Sequence, residues 1–520
     1  MNKFILYFSL TLVLLAQTQN PIDWPSLADS PWPMIKGDPQ GTGRSKYVGP
    51  STANIMWTKD MPRGIVHGPI IGYEDILYFG TAGISPDSNY FFALNPDGTE
   101  RWVFRTEKGY PNYGAAIIDK DSTIYFPSNN SHIYAVDKNG RQKWKTGSLA
   151  IGLKSILNIS KEGDLYVSTY LDSMLIIDTE DGRIKYKKYI GENLNANQFA
   201  FSVEGDKLFY VRAIRGSGDN SFVGCMDLEG NIIWEKEARY SSEGMPIVDN
   251  ENNIYIIGAD SSRVIISFLG ASGEKRWVYK YQKFTRYHTP AIDKYGNIIY
   301  ADWVVLDGKT YTSINSLNND GDLNWSYVID HDTWYNTDVE GQITVDAEGK
   351  IYFGATREGY FYCLSKDGEL LWKLYLEGND FDSSPAIGSD GTLYIGSHGS
   401  STAQGQQRTL IAIKDDPNSV IDEEIPTEFK LEQNYPNPFN PSTTIKFTIP
   451  NVGDEYIRPQ QTSLIVYDIL GREIKTLINE IKVPGTYEVE FDASKLPSGI
   501  FFYRLQSGDF TQTKKMMVIK

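Results

Sequence analysis

The sequence predicts an all-β protein, an eight-bladed β-propeller followed by a small antiparallel β-sandwich of immunoglobulin-like type. Three observations predict it. A unit of four short β-rich runs recurs through most of the chain, tight Asp/Gly turns separate the runs, and the composition changes abruptly after Ile413. At 520 residues the chain is long enough for two or three domains or for one large repeat domain and a small one. Hydrophobic residues make up 41% and aromatics 13%, with 34 Tyr and 11 Trp. That balance suits a soluble, aromatic-rich β protein and excludes a disordered or membrane-spanning chain. The formal net charge of −16 leaves no basic surplus to neutralise phosphates, so no nucleic-acid partner is expected.

Taken in chain order, residues 1–20 come first and read as a signal peptide. Lys3 supplies the positive start and Phe4 to Ala16 is an almost unbroken apolar run, too short to cross a bilayer as a helix. Polar residues follow at Gln17, Thr18, Gln19 and Asn20. There is no cysteine nearby to carry a lipid, and no later apolar stretch reaches membrane length, so the mature chain has no transmembrane segment. The destination is outside the cytoplasm.

Residues 21–415 form the propeller. The repeat is clearest in GQITVDAEGKIYFGATREGYFYCLSKDGELLWKL (341–374) and GAAIIDKDSTIYFPSNNSHIYAVDKNGRQKWKT (114–146). A small-residue and apolar run ends in an Asp-x-x-Gly type turn; an Ile-Tyr-Phe run and a Tyr-x-Ala/Cys-Leu run follow; a second Asp-Gly turn leads to a strand carrying Trp. One such meander cannot bury both its faces, so copies must stack, and closing them into a ring removes the exposed ends. The closing strands carry Trp57, Trp102, Trp144, Trp234, Trp277, Trp325 and Trp372. The one double-length gap, between Trp144 and Trp234, holds a unit in which Tyr186 stands at the tryptophan position. The unit opening at Ser383 lacks its own Trp strand, and Trp57 precedes the first full unit, so the segment around Asn54–Lys59 is expected to complete the last blade.

These residues resemble the pyrroloquinoline-quinone-type (PQQ-like) β-propeller repeat family over roughly residues 32–415, and WPMIKGDPQGTGRSKYVGP before Trp57 looks like that family's N-terminal lead-in. Cys225 and Cys363 each lie five residues before a turn glycine (Gly230, Gly368), where Ala93 and Ala135 stand in other blades. They read as small buried thiols in blades four and seven, not as a disulfide.

Residues 416–427 are acidic and Pro-containing and read as a linker. Residues 428–520 form the second module. Ile445, Phe447 and Ile449 alternate with Thr444, Lys446 and Thr448, and Tyr487, Val489 and Phe491 share another face, which predicts six or seven strands. The EQNYPNPFNPST opening, YDILGREI, LPSGIFFYRL and the MMVIK end closely resemble the type A C-terminal sorting domain of the type IX secretion system. The resemblance implies passage through the periplasm and across the outer membrane, release or attachment at the cell surface, and cleavage in the linker. The expected partner is the type IX machinery.

Chemistry is harder to read. The quinone-dependent dehydrogenases of related fold use an adjacent cysteine pair, which Cys225 and Cys363 do not supply, and no c-type haem motif is present. No cofactor is expected. The histidines His67, His132, His288, His331 and His398 are scattered, and NNDGD (318–322) and DTEDG (178–182) lack a full calcium loop, so no metal is expected either. A ligand would meet the channel mouth where the innermost strands begin. The residues just before those strands are His67, Tyr113, Lys154, Asn197, Gln198, Glu243, Tyr287, His288, Glu340 and Asp382. The loop HDTWYN (331–336) offers Trp334 and Tyr335 for stacking on a sugar. The reading is a monomeric, non-enzymatic binding or scaffold propeller with a protein or glycan ligand. The alternative is a secreted polysaccharide lyase or hydrolase using Glu243, Glu340, Asp382 and a histidine.

Overall fold

The computed structural model describes residues 18–520 except 66, 82–89, 107–114, 129, 150, 152–155, 170–172, 191–193, 215–220, 239–244, 261, 281–289, 307–308, 330–338, 340, 357–358, 399–406, 416–427, 451–459, 483–484 and 509. For residues 194–198, 213–214, 258–260, 262–264, 460 and 481 it describes the backbone only. Residues 1–17, expected to belong to a signal peptide, residues 416–427, expected to be a linker, and the HDTWYN segment lie outside the described residues.

Between Ile55 and Ile413 the strands form eight four-stranded antiparallel sheets, each a meander running from the channel outward. Seven are continuous in sequence. Blade two, for instance, runs Ile117–Ile118, Ile124–Ser128, His132–Val136 and Gln142–Lys145. Blade eight takes Ala386–Ile387, Leu393–Gly396 and Thr409–Ile413 from one end of the array and its outer strand, Ile55–Asp60, from the other. Trp57 pairs with Ala412 across that join, so ring closure is a β-ladder between chain segments far apart in sequence.

The tryptophans explain how blades stack. The residue paired with each indole is small: Ala93, Ala135, Cys225, Ser267, Ser316, Cys363 and Ala412. Six of the seven rings, all but Trp372, cover the turn glycine of the next blade, as Trp102 covers Gly140 and Trp277 covers Gly321, glycines held at φ +77 and +87. A Cβ there would sit 2.6 Å from the indole, so two demands fall on one residue: left-handed backbone and no side chain. The indole N–H then donates to a carbonyl of the same turn, for example Trp57 to Pro96 at 2.9 Å and Trp277 to Asn319 at 2.7 Å. In blade eight the turn is interrupted by the chain ends, and Trp372 donates instead to the Pro50 carbonyl at 3.3 Å.

Tyr186 holds the tryptophan register but not the role. It pairs with Ile176, the one bulky residue at the small position, and is 38% exposed. Gly230 of the next blade packs on Lys188 and Met174 instead. Cys225 and Cys363 are buried, unbridged, and paired with Trp234 and Trp372 in different blades, as expected.

The C-terminal module has a three-stranded sheet (Lys430–Leu431, Ser442–Ile449, Gly485–Asp492) and a four-stranded sheet (Glu473–Lys482, Gln460–Tyr467, Gly499–Ser507, Phe510–Val518). Ile445, Phe447, Ile449, Leu464, Tyr503 and Met516 are fully buried in one core. The proline-rich opening, having few amide donors of its own, is tied down from outside. Asn434 N–H donates to the Tyr503 hydroxyl, which donates to the Glu432 carbonyl, and Asn437 Oδ1 accepts from Met517 N–H. The two ends of the module are thereby laced together.

Candidate functional site

The lead-in decides what the channel can offer. An innermost strand presents an unpaired edge of N–H and C=O groups to the channel, and buried backbone groups need partners. Here the lead-in supplies them in ring order. The last residue of the inner strand donates its N–H to a lead-in carbonyl in six blades: Ile71 to Trp32, Ile118 to Pro33, Phe201 to Pro39, Val248 to Gln40, Ile292 to Thr42 and Val345 to Gly43, all within 2.8–3.1 Å. The lead-in bypasses blade three at this level, and a side chain substitutes: Asn158 accepts from Ile159 N–H and donates to the Pro39 carbonyl. Trp24 donates its indole N–H to the Ile159 carbonyl of the same blade. All these contacts lie at the ends of the inner strands nearest the first turns. The lead-in therefore occupies that end of the channel, and the candidate mouth is the opposite end.

Inside, the chain from Met34 to Gly37 rises toward the mouth. Ile35 packs with Ala115 and Ile156, which precede the inner strands of blades two and three. Lys36, 1% exposed, donates its ammonium to the Pro290 carbonyl at 3.0 Å. Burial pushes its pKa down to about 7, with Asp38 opposing the fall. Asp38 is pushed up by burial while hydrogen bonds from Thr42 and the charge of Arg44 pull it down. Arg44 donates to the Asp293 carbonyl at 3.3 Å. Ile35 and Lys36 thus floor the mouth.

Of the residues expected around that mouth, His67 and Asp382 have described side chains. His67 borders, with Ile35, Gly68 and Ala115, a cavity of about 10 Å³, room for one water. Burial lowers its pKa to about 4, so the imidazole is neutral at neutral pH. Asp382 is half-buried, and its Oδ2 lies 3.9 Å from Nδ1 of His398, beyond hydrogen-bond range. His398 is pushed down by burial, with Asp380 opposing and Arg408 reinforcing. Asn197 and Gln198 fall within an eight-residue inner strand, Leu194–Phe201, whose register shifts between Asn195 and Gln198; their side chains are not described. This blade differs from the others, whose inner strands have two residues. Tyr113, Lys154, Glu243, Tyr287, His288 and Glu340 lie outside the described residues. Among the described residues no group of three or more His, Cys, Asp or Glu side chains could hold a metal, and no helix is long and apolar enough to cross a membrane.

Two sets of residues near the channel were not singled out from sequence. Lys36, Asp38 and Arg44 sit in a Gly/Pro-rich stretch that reads as loop, where charge ordinarily faces water. His398 and Arg408 flank residues 399–406, whose sequence carries no motif.

Comparison with known proteins agrees with this fold. Residues 433–520 match the family model described as secretion system C-terminal sorting domain, and residues 129–291 match a PQQ-type repeat model described as outer membrane protein assembly factor BamB. The chain is a β-propeller that carries a PQQ-type repeat region and a type IX C-terminal sorting domain. Curated relatives are uncharacterized protein YxaL of Bacillus subtilis (strain 168), 29% identical over 105 residues, and protein Rv3035 of Mycobacterium tuberculosis (strain ATCC 25618 / H37Rv), 22% identical over 153 residues. Those alignments cover 20% and 29% of this chain but only 26% and 36% of the relatives' own length. Among solved structures, quinohemoprotein alcohol dehydrogenase from Comamonas testosteroni superposes with a TM-score of 0.57 at 12% identity, covering 77% of this chain and 82% of that one. The Dos1 propeller superposes with a TM-score of 0.54 at 8% identity, covering 71% and 97%. At such identities the likeness is one of fold. The sorting domain assigns the protein to export, to the cell surface or the medium, through the type IX machinery.

Proposed function

We propose that this is a non-enzymatic binding or scaffold propeller, spanning 21–415, which presents its channel mouth to a protein or glycan ligand after delivery by the domain at 428–520. The observation that carries the reading is the lead-in. Hydrogen-bonded to six blades and carrying Ile35 and Lys36 in its rise toward the mouth, it turns the channel into a braced, shallow-floored ring. A rigid ring bearing variable loops at one end suits recognition.

The rival reading, a polysaccharide lyase or hydrolase, is favoured by one feature. Glu340 and Asp382 hold the same register position in consecutive blades, with His67 one position later in blade one, and the backbone of Asp382–Ser384 packs on Gly341 and Gly68 of its two neighbours. Glycan-array binding together with reducing-end release on the full chain separates the two. Binding to one ligand class with no release is expected. Release of reducing ends would replace this reading with the rival, and silence in both would remove the carbohydrate ligand.

A further inference from the structure

The eight blades give an internal comparison of the crevices between neighbours on the turn side of the ring. The blade five crevice is fully furnished. The Tyr255 hydroxyl donates to Asp249 Oδ2 at 2.8 Å, Arg276 reaches that hydroxyl at 3.2 Å, and Asn319 from the second turn of the next blade completes the group. The same tyrosine–aspartate bond recurs between Tyr125 and Asp119 at 2.6 Å and between Tyr352 and Asp346 at 3.3 Å. A first-turn carboxylate stands in four of the eight blades, while Ser160 and Ser202 hold its place in blades three and four and glycine does in blades one and eight.

Between blades one and two the set is altered in one direction. Gly72 stands at the aspartate position, Tyr78 at the tyrosine, Arg101 at the place of Arg276 and Lys138 at the place of Asn319. One carboxylate is gone and one cation is added. The result is an open crevice of about 240 Å³ lined by Gly72, Glu74, Tyr78, Arg101, Ser122 and Lys138. Tyr78 is 5% exposed, yet its hydroxyl has no hydrogen-bond partner among the described residues, unlike those of Tyr125, Tyr255 and Tyr352. Glu74 lies 3.7 Å from Arg101, but its side chain is 80% exposed, so it screens the guanidinium only loosely.

Blade eight shows how the fold treats the same loss elsewhere. Gly388 replaces the aspartate there, and a carboxylate arrives from the next blade: Asp75 accepts from Ser389 N–H at 2.7 Å, with Oδ1 3.2 Å from where a Cβ of residue 388 would lie. In the blade one crevice the one carboxylate among the described lining residues is the outward-lying Glu74 of the same blade, and the next blade contributes Ile118, Ser122 and Lys138 but no carboxylate.

We propose that the crevice between blades one and two binds a small carboxylate ligand, the carboxylate taking the place that Asp119, Asp249 and Asp346 hold in their own blades. Arg101 and Lys138 supply charge, and the Tyr78 hydroxyl donates the hydrogen bond. The ligand carboxylate belongs either to a uronic acid unit or to a peptide C-terminus. This site is separate from the channel mouth and does not depend on what the mouth binds.

The test titrates the full chain with D-glucuronate and with N-acetylglycine by calorimetry or ligand-observed NMR, with D-glucose and inorganic phosphate as controls. Saturable binding of at least one carboxylate is expected, with glucose silent and phosphate weaker. Arg101→Gln and Lys138→Gln, at exposed positions that leave the fold intact, should each weaken it about tenfold. Tyr78→Phe should weaken it as well, without shifting the thermal midpoint downward. Absence of saturation by either carboxylate, affinity unchanged in both charge variants, or phosphate binding at least as tightly would each overturn the proposal. The better of the two carboxylates identifies the source.

Discussion

Replacing Trp372 by Ala tests whether indole docking holds neighbouring blades together. Trp372 is 3% exposed, its ring lies 6.0 Å from that of Phe361 and 6.1 Å from that of Tyr352, and its N–H reaches the Pro50 carbonyl. Truncating a buried tryptophan costs about 3–5 kcal/mol, and the Pro50 carbonyl loses a donor worth about 1 kcal/mol within that range. Tyr186→Ala is the internal control. The residue is 38% exposed against 3% for Trp372, so its removal should cost below about 1 kcal/mol. Urea unfolding followed by tryptophan fluorescence reads the difference. All 11 tryptophans lie at or before Trp372, so the signal reports the propeller without interference from the sorting domain. The wild type should unfold at the highest urea concentration, Tyr186→Ala close to it, and Trp372→Ala well below both. Equal losses in the two variants, or a Trp372→Ala cost under about 1 kcal/mol, would refute the docking argument.

Other consequences are equally direct. Lys36 has a native pKa of about 7 against an ordinary 10.5, so the unfolded chain binds the extra proton between those values and stability rises with pH there. The slope should approach about 1.4 kcal/mol per pH unit between pH 7 and about 9.5 and be absent in Lys36→Met; equal slopes would contradict the burial assigned to this ammonium. Above about pH 10 the sign reverses, because Tyr125 and Tyr255 are held protonated by burial while unfolded tyrosine ionises. Burial pushes the Cys225 thiol up to about 12 and Cys363 well above its ordinary value, so neither should react with a thiol reagent until denaturant is added; rapid labelling of the native chain would show that the blade interiors open. Deleting 433–520 should leave the propeller in the periplasm of a type IX-secreting cell, and its appearance in the medium would show that export does not depend on that domain.

Much of the fold was legible because the repeat writes each structural demand more than once. The tryptophan register, the turn glycines and the Trp57 closure all follow from side chains whose shape is required. Ile176 with Tyr186 was a readable exception, since a bulky residue at the small position leaves no room for an indole. The alternation at Ile445, Phe447 and Ile449 marked the sandwich for the same reason. The path of the lead-in was not legible. Its contacts run from backbone carbonyls to backbone amides, and any sequence with suitable turns could make them. Lys36 even points the wrong way, since a charged residue in a Gly/Pro-rich stretch reads as solvent-facing, and only the path of the chain shows that it is buried. The candidate site was legible as positions but not as an arrangement. The repeat register placed His67 and Asp382 beside the mouth, while the company of Asp382, namely His398, comes from a loop outside the repeat. The crevice between blades one and two became visible only by comparing partners: Gly72 reads as an ordinary turn glycine until the tyrosine left without its carboxylate is seen.

Amide hydrogen exchange on the inner strands measures most directly whether the lead-in pairs with the ring. Ile71, Ile118, Phe201, Val248, Ile292 and Val345 each donate to a lead-in carbonyl. Their amides should exchange only with opening of the propeller, as slowly as those of the central strands. Exchange at the rate of an open sheet edge would mean that the lead-in does not pair with the ring.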